Sequence, residues 1–314
     1  MTPILTVTLN PALDLATSAE AVRPGPKLRC DEPRADPGGG GINVSRMIQR
    51  LGGQARAFVA LGGATGVRLS GLLEREGIDF VPFPGPGETR ESLSVSDRAT
   101  GGQYRFVMPG PHWTKIRGEA ATRAVVREAG AGALVVLSGS LPPGLGHDLP
   151  ATLAARLARH GGRLVLDTSG AALAHAAASQ QPAFVLRMDE HEAAALAGSR
   201  LKTRGDTADF AEALVRGGAA EVVVIARGAD GSVMATRDAR WFAKAADVPV
   251  RSKVGAGDSF LAAFTLALAR GRTLSRGLQE GMAAASAAVM TEATELARAS
   301  DVRRLVAACQ VGPV

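Results

Sequence analysis

Lys253-Val254-Gly255-Ala256-Gly257-Asp258-Ser259-Phe260 runs straight into the apolar, Ala-rich stretch 261–269. It reads as a glycine turn opening a helix, with one carboxylate in the first helical turn. Gly255 and Gly257 let the backbone bend tightly and approach a ligand closely. The N–H groups that follow are the unpaired donors of a helix start, and with the positive end of the helix dipole they favour an anion such as phosphate. Asp258 would repel a resting phosphate, yet it is well placed to take a proton from a hydroxyl attacking one. The plainer reading is a helix N-cap, which Asp commonly supplies. So short a pattern does not separate the two.

A second glycine-to-helix junction lies upstream, at Pro37-Gly38-Gly39-Gly40-Gly41-Ile42-Asn43-Val44. Four successive glycines are entropically expensive to order, which suggests that the backbone passes close to a ligand. A flexible linker fits less well, because apolar residues at Ile42, Val44, Met47, Ile48 and Leu51 pattern a helix at once. Strand Ile4–Leu9 precedes this junction and ends in the turn Asn10-Pro11-Ala12-Leu13-Asp14, which carries a polar pair.

From residue 122 onward the pattern is regular. Helix Thr122–Ala129, strand Ala133–Ser138, helix Asp148–His160, strand Arg163–Asp167, helix Ala171–Ala178 and strand Phe184–Arg187 are followed by helices Glu190–Ala197 and Thr207–Gly217 and strands Glu221–Ala226 and Gly231–Thr236. Apolar strands alternating with helices predict an α/β fold with a mostly parallel sheet covered on both faces. Ligands of such sheets bind beyond the carboxyl ends of the strands. That places Asp14, Ser138-Gly139-Ser140, Asp167, Arg187, Arg227-Gly228 and the 255–258 turn on one rim. The polar, Pro-interrupted segment 15–36 and the hairpin Thr89–Ser96/Gln103–Val107 break the alternation, and are read as one small all-β excursion over that rim, a lid formed by about 13–36 and 88–108 on a single domain spanning 1–314.

Net charge is +6, from 36 Lys and Arg against 30 Asp and Glu, with no basic run and 4% aromatics, so composition speaks against nucleic-acid binding. Cys30 and Cys309 form neither a CxxC pair nor a metal quartet and read as reduced thiols, consistent with a cytoplasmic protein. His112, His147, His175 and His191 show no metal-ligand spacing. No signal peptide or membrane-spanning stretch is legible.

The two glycine motifs, in this order and about 210 residues apart, resemble the paired signatures of the ribokinase-like carbohydrate kinases, the PfkB family. The likeness covers essentially the whole chain. It implies a three-layer α/β/α sandwich with a small β lid, and ATP-dependent phosphoryl transfer assisted by Mg²⁺. Lys27-Leu28-Arg29-Cys30, Gln103-Tyr104-Arg105-Phe106-Val107 and Ser138-Gly139-Ser140-Leu141-Pro142-Pro143-Gly144 resemble the members that act on ketohexose phosphates. The resemblance therefore implies fructose 6-phosphate as acceptor, with fructose 1-phosphate and tagatose 6-phosphate as neighbours.

Residue by residue, it assigns Asp258 as base and Gly255, Ala256 and Gly257 to the anion-stabilising turn. Asp14, Gly39, Gly40 and Asn43 would hold the sugar, and Lys27, Arg90, Arg105 and Ser140 its distal phosphate. Asp14 and Asn43 offer the acceptor and donor that a polyol requires, and Arg forks suit phosphate. On the nucleotide side the family commonly reads Lys-Pro-Asn, two residues, Glu. Here stand Arg187-Met188-Asp189-Glu190-His191-Glu192. Arg187 and Asp189 would meet nucleotide phosphates and Asp189 with Glu192 would organise hydrated Mg²⁺, although an acidic first helical turn explains both carboxylates equally well. Ala226 replaces the usual Ser or Thr, Gly228 and Gly231 match, and Met290-Thr291-Glu292-Ala293-Thr294 departs from the adenine-side loop. These departures leave a catalytically weak sugar-phosphate or nucleotide binder as the alternative. An open-edged lid sheet further predicts a homodimer through the lid.

Overall fold

The computed structural model describes residues 1–292 and 295–314, so the reading of Ala293 and Thr294 lies outside the described residues. The chain begins with β1 (Ile4–Thr8), β2 (Ala12–Ala19), β3 (Arg34–Gly38), α1 (Gly40–Arg50), β4 (Arg56–Leu61), α2 (Gly63–Arg75) and β5 (Phe80–Pro84). The hairpin β6 (Arg90–Asp97) and β7 (Gln103–Val107) leads to α3 (Lys115–Ala129), β8 (Leu134–Ser138), α4 (Leu149–Ala158), β9 (Arg163–Asp167), α5 (Gly170–Ala177) and β10 (Ala183–Met188). Then come α6 (Glu190–Ala197), α7 (Arg204–Arg216), β11 (Ala220–Ala226), β12 (Gly231–Ala235), β13 (Arg240–Lys244), α8 (Ala256–Ala269), α9 (Leu274–Ala288), α10 (Ala299–Leu305) and β14 (Val311–Pro313).

The main sheet has 10 strands in the order β14-β13-β12-β11-β10-β9-β8-β1-β4-β5. Every pair from β11 through β5 is parallel, while β12, β13 and β14 extend one edge antiparallel. Strand alternation sorts the apolar residues onto two faces. Leu134 and Val136 of β8, with Val165 and Val185, face Val44, Met47, Ile48, Phe260 and Phe264 of α1 and α8. Val135 and Leu137, with Leu164 and Leu166, face Val125, Leu153 and Leu157 of α3 and α4. Each such fully buried side chain contributes roughly 1.5–3 kcal/mol. Burial on both faces explains why the central strands read as continuous apolar runs rather than alternating ones.

The small sheet has 4 strands in the order β3-β2-β6-β7. Its central pair, β2 with β6, is parallel. β2 leaves the carboxyl end of β1 through Asn10 and Pro11, so the small sheet stands over the expected rim.

One expected boundary is corrected, and the structure adds a strand direction and two strands. Helix α3 starts at Lys115 rather than Thr122, because Thr114 caps it by accepting from the Arg117 N–H. The 231–236 strand is antiparallel, since the turn Gly228–Asp230 is far too short for a crossover. β13 and β14 escaped the reading, being short strands at one end of the sheet, flanked by charged or terminal residues.

The glycines of α1 and α2 make a paired test. A Cβ at Gly41 would lie 2.5 Å from the Val7 carbonyl oxygen, whereas at Gly71 the nearest atom is the Arg75 Nη1 at 3.5 Å. Gly41→Ala is expected to destabilise the fold by about 1–3 kcal/mol through backbone displacement. Gly71→Ala should stabilise it by up to about 1 kcal/mol through helix propensity. Urea denaturation of both variants checks the opposite signs.

Candidate active site

Gly255 takes φ 74°, the left-handed region, and is the N-cap of α8. The first α8 backbone bond from Ser259 N reaches Gly255 O, so the N–H groups of Ala256, Gly257 and Asp258 head the helix without intrahelical acceptors. Asp258 is partly buried beneath them. Its Oδ2 accepts from Asn43 Nδ2 at 3.0 Å and its Oδ1 from the Ser138 hydroxyl at 3.3 Å. Burial pushes the Asp258 carboxyl up to about 6, and the nearby Asp167 adds to this, against the pull of Asn43, Arg187 and Ser138.

The side chains around this turn come from one register level. Ser138 pairs with Asp167 across β8 and β9, and Asp167 with Arg187 across β9 and β10. Register partners share a face, so all three point toward α8. Arg187 Nη1 meets Asp167 Oδ2 at 3.0 Å. Desolvation weighs against the charge on Arg187, but Asp167 and Asp258 more than restore it, so the guanidinium stays protonated. A Cβ at Gly257 would lie 2.7 Å from Arg187 Nη1. Glycine there lets the guanidinium lie against the anion turn.

The glycine run has a reason other than the one expected. A Cβ at Gly38 would collide with the Asp14 carboxylate and one at Gly40 with the Ser138 hydroxyl, while at Gly39, φ 118°, it would lie 2.6 Å from Thr8 Cγ2. The close approach is to the ends of β1, β2 and β8, so the protein itself requires the run whether or not a ligand does. Asn43 has a partner within the protein as well, since its amide nitrogen donates to the Asp258 carboxylate.

Asp14 pairs in register with Asp36 on β3 and Ser92 on β6. Burial pushes its carboxyl up to about 6, aided by Asp36 and opposed by Arg90, Arg105 and Arg46. Arg90 and Arg105 are therefore gathered beside Asp14. Arg90 donates from Nε to Asn10 O at 3.3 Å, and Ser140 accepts at Oγ from Asn10 Nδ2 at 3.2 Å. Lys27 lies exposed on the loop between β2 and β3, outside this gathering among the described residues. Arg46, which the sequence reading passed over, is buried and forks onto Glu76 at 2.6 and 2.7 Å while holding Pro37 O at 3.2 Å. It braces the approach to the glycine run.

On the nucleotide side, Asp189 caps α6. Its Oδ1 accepts from His191 and Glu192 N–H, and Glu192 Oε2 accepts from Asp189 N–H, a reciprocal capping box. One oxygen of each carboxylate remains outside the box. Burial raises the Glu192 pKa, and the charges of Asp189 and Asp167 add to it. Three carboxylates, Asp167, Asp258 and Glu192, thus crowd one guanidinium, a charge excess that suits a cation. Among the described residues no three His, Cys, Asp or Glu side chains converge as a metal cage. A Mg²⁺ ion here would be held largely through water and phosphate.

Ala226 ends β11 opposite Ser232. Gly228, φ 57°, turns the chain near Glu190, and a Cβ at Gly231 would strike Ala243 O. Arg227 fastens this turn to the carbonyls of Leu201, Lys202 and Thr203 and to Asp230. Ser138 and Asn10 carried no local signal of their partners, which lie 120 and 130 residues away.

The family model of "pfkB family carbohydrate kinase" matches residues 8–299. The chain belongs to this family. It is 41% identical to the ATP-dependent 6-phosphofructokinase isozyme 2 of Mycobacterium tuberculosis, over 96% of this chain and 88% of that protein. Identity to the isozyme of the same name from Escherichia coli is 38%, over 98% and 99%. The crystal structure of that E. coli enzyme in complex with fructose-6-phosphate matches with a TM-score of 0.91 at 36% identity, covering 98% of this chain and 99% of that one. A 1-phosphofructokinase of Xanthomonas campestris is 33% identical over 84% and 83%. The architecture is thus the ribokinase-like sandwich of this family, a sugar kinase transferring phosphate to a hydroxyl.

The Asp258 carboxyl carries a consequence for stability. Its folded pKa of about 6 lies above the ordinary 3.8, so the folded state holds the proton more tightly. That contribution to folding is fully present below about pH 4 and is lost as pH rises through about 6, which leaves a desolvated charge. Asp258→Asn should therefore stabilise the protein at pH 7.5 by on the order of 1–3 kcal/mol, and by less at pH 5. Thermal unfolding at both pH values measures this, and a variant less stable than its parent at pH 7.5 contradicts the desolvation account.

Proposed function

We propose that this kinase transfers the γ-phosphoryl group of ATP to the C1 hydroxyl of fructose 6-phosphate, giving fructose 1,6-bisphosphate and ADP. The observation that carries the reading is the meeting, on one rim, of a base-bearing anion turn with a separate Asp14, Arg90 and Arg105 cluster under the small sheet. Asp258, poised near pH 6 and held by Asn43 and Ser138, accepts the hydroxyl proton as the sugar oxygen bonds to phosphorus and the bond to ADP breaks. The N–H groups of Ala256, Gly257 and Asp258 receive the charge that develops on the transferring group, and the adjacent Arg187 adds a cation. Asp14 takes sugar hydroxyls. Arg90, Arg105 and Ser140, with Lys27 from its loop, take the distal phosphate. Mg²⁺ is read as the cation that Asp189 and Glu192 organise, neutralising polyphosphate charge.

Fructose 1-phosphate and tagatose 6-phosphate present the same chemical elements and are the competing acceptors. Capping by Asp189 and Glu192, and the Asp167–Arg187 pair, support a second reading, a weakly active or purely binding protein. Steady-state transfer from MgATP to the three sugar phosphates and to fructose decides between them. Preference for fructose 6-phosphate upholds the first reading, and binding without turnover on any acceptor upholds the second. Asp258→Asn should lower kcat by about 10²- to 10⁴-fold with sugar-phosphate binding retained. The acid limb of the kcat/KM profile should fall near pH 6, where burial places the Asp258 carboxyl.

We also read the protein as a cytoplasmic homodimer joined through the small sheet, which would act as a lid. β7 is exposed along its length, and Tyr104, Phe106, Val107 and Met108 present apolar surface there. Light scattering should return twice the 32.2 kDa chain mass, and Phe106→Asp should shift it toward the monomer. A wild-type monomer mass overturns this reading.

A further inference from the structure

We propose that Asn10 is the positioning residue that presets the distal-phosphate site, holding Ser140 as a hydrogen-bond donor and Arg90 in orientation. The inference rests on the reading above that Ser140 and Arg90 receive that phosphate.

Asn10 occupies the turn between β1 and β2, and two of its polar groups are engaged while a third is buried without a partner among the described residues. Its Nδ2 donates to Ser140 Oγ at 3.2 Å. Its backbone carbonyl accepts from Arg90 Nε at 3.3 Å. Its Oδ1 is buried and has no hydrogen-bond partner among the described residues. That oxygen rests against Gly110, where any Cβ would collide with it. Beside Gly110, Met108 O accepts from Arg90 Nη1 at 3.3 Å. Asn10 therefore ties the β1–β2 turn to the 138–140 loop through its side chain and to Arg90 through its backbone carbonyl, and Arg90 carries the link on to the segment after β7.

The direction of the Asn10–Ser140 bond gives this arrangement its chemical meaning. A hydroxyl is both donor and acceptor. With Asn10 Nδ2 donating into a Ser140 lone pair, the hydroxyl hydrogen of Ser140 is free for an outside acceptor. An anion needs that polarity. Arg90 Nε is satisfied by Asn10 O, and this fixes the plane of the guanidinium while its remaining N–H groups face Ser92, Met108 and the space beside Asp14. A buried carbonyl oxygen left without a partner is costly. The position keeps it, and what the amide gains is the donor on Ser140.

Asn10→Asp keeps the shape and reverses the polarity. Its carboxylate would accept a hydrogen bond from the Ser140 hydroxyl, turning that hydrogen away from the phosphate, and add negative charge beside it. Asn10→Ala removes the bond without adding charge. For Asn10→Ala, KM for fructose 6-phosphate is expected to rise about 10-fold, with kcat within about two-fold, the range of one hydrogen bond to a charged group. Asn10→Asp should raise it further, by about 10²-fold. KM for ATP and the efficiency with fructose should be unchanged in both, so the preference for the phosphorylated acceptor collapses. Asn10→Ser, which restores a donor, should recover part of the loss.

Ser140→Ala and Arg90→Ala serve as controls. If they raise KM for fructose 6-phosphate and the Asn10 variants do not, Asn10 presets nothing and the inference falls while the phosphate reading stands. If neither control moves that KM relative to fructose, the phosphate reading falls and this inference with it. A loss shared equally by fructose, fructose 6-phosphate and ATP, with a lowered melting temperature, would show a purely structural residue and overturn the proposal. Should Asn10→Ala fail to fold, the near-isosteric Asn10→Asp carries the test.

Discussion

The approach of the α1 N-terminus to the ends of β1 and β8 is the constraint on which the remaining site depends. No side chain fits between these elements: at Gly38 it would meet Asp14, at Gly40 Ser138, and at Gly41 the Val7 carbonyl. Only that proximity lets Asn43, one turn into α1, reach a carboxylate on α8. The same contact sets Asp14 over the loop. Arg46 and Glu76 brace it from behind, and the residual exposure of Arg46 is only 5%. A buried guanidinium is tolerable there because a bidentate carboxylate and a backbone carbonyl satisfy it. The Asp14 cluster and the Asp258 carboxylate are thus geometrically one object.

The rim around Arg187 is built on charge imbalance. Arg187 is the guanidinium against the anion turn, and it is shared among Asp167, Asp258 and Glu192. An incoming polyphosphate would compete for it, and so would be most compatible with this rim when accompanied by a cation. Replacing Lys by Arg at this point exchanges a point charge for a planar fork able to hold Asp167 and still lie against Gly257. The capping box formed by Asp189 and Glu192 gives helix α6 a fixed start, so their outward oxygens are presented from a rigid frame.

Much of this was legible in the sequence because the signals were local. The apolar strands announced the doubly covered sheet, since burial on both faces leaves no polar alternation, and Gly255 with Asp258 announced the opening of helix α8. The reading was weaker where causes were distant. The glycine run was attributed to a ligand, because nothing near residues 38–41 reveals that Thr8, Asp14 and Ser138 press on them. The bond from Asn43 to Asp258, 215 residues away, was hidden for the same reason. Asp189 and Glu192 show the reverse case, where spacing alone carried two valid meanings and only the hydrogen bonds displayed one of them. Arg46 was passed over because a charged residue in a helix is ordinarily solvated.

The pairing of β2 with β6 bears on how the chain reaches this state. Ala12 lies beside Arg90, so the small sheet cannot close until a complete α/β unit between them has been made and packed. Its assembly therefore belongs to the slow, non-local part of folding. A nascent chain carries the β2 edge unpaired through that interval, and the solvent-exposed Arg34, Arg98 and Glu20 that flank the finished sheet are the charges that would keep such an edge from pairing with a neighbour.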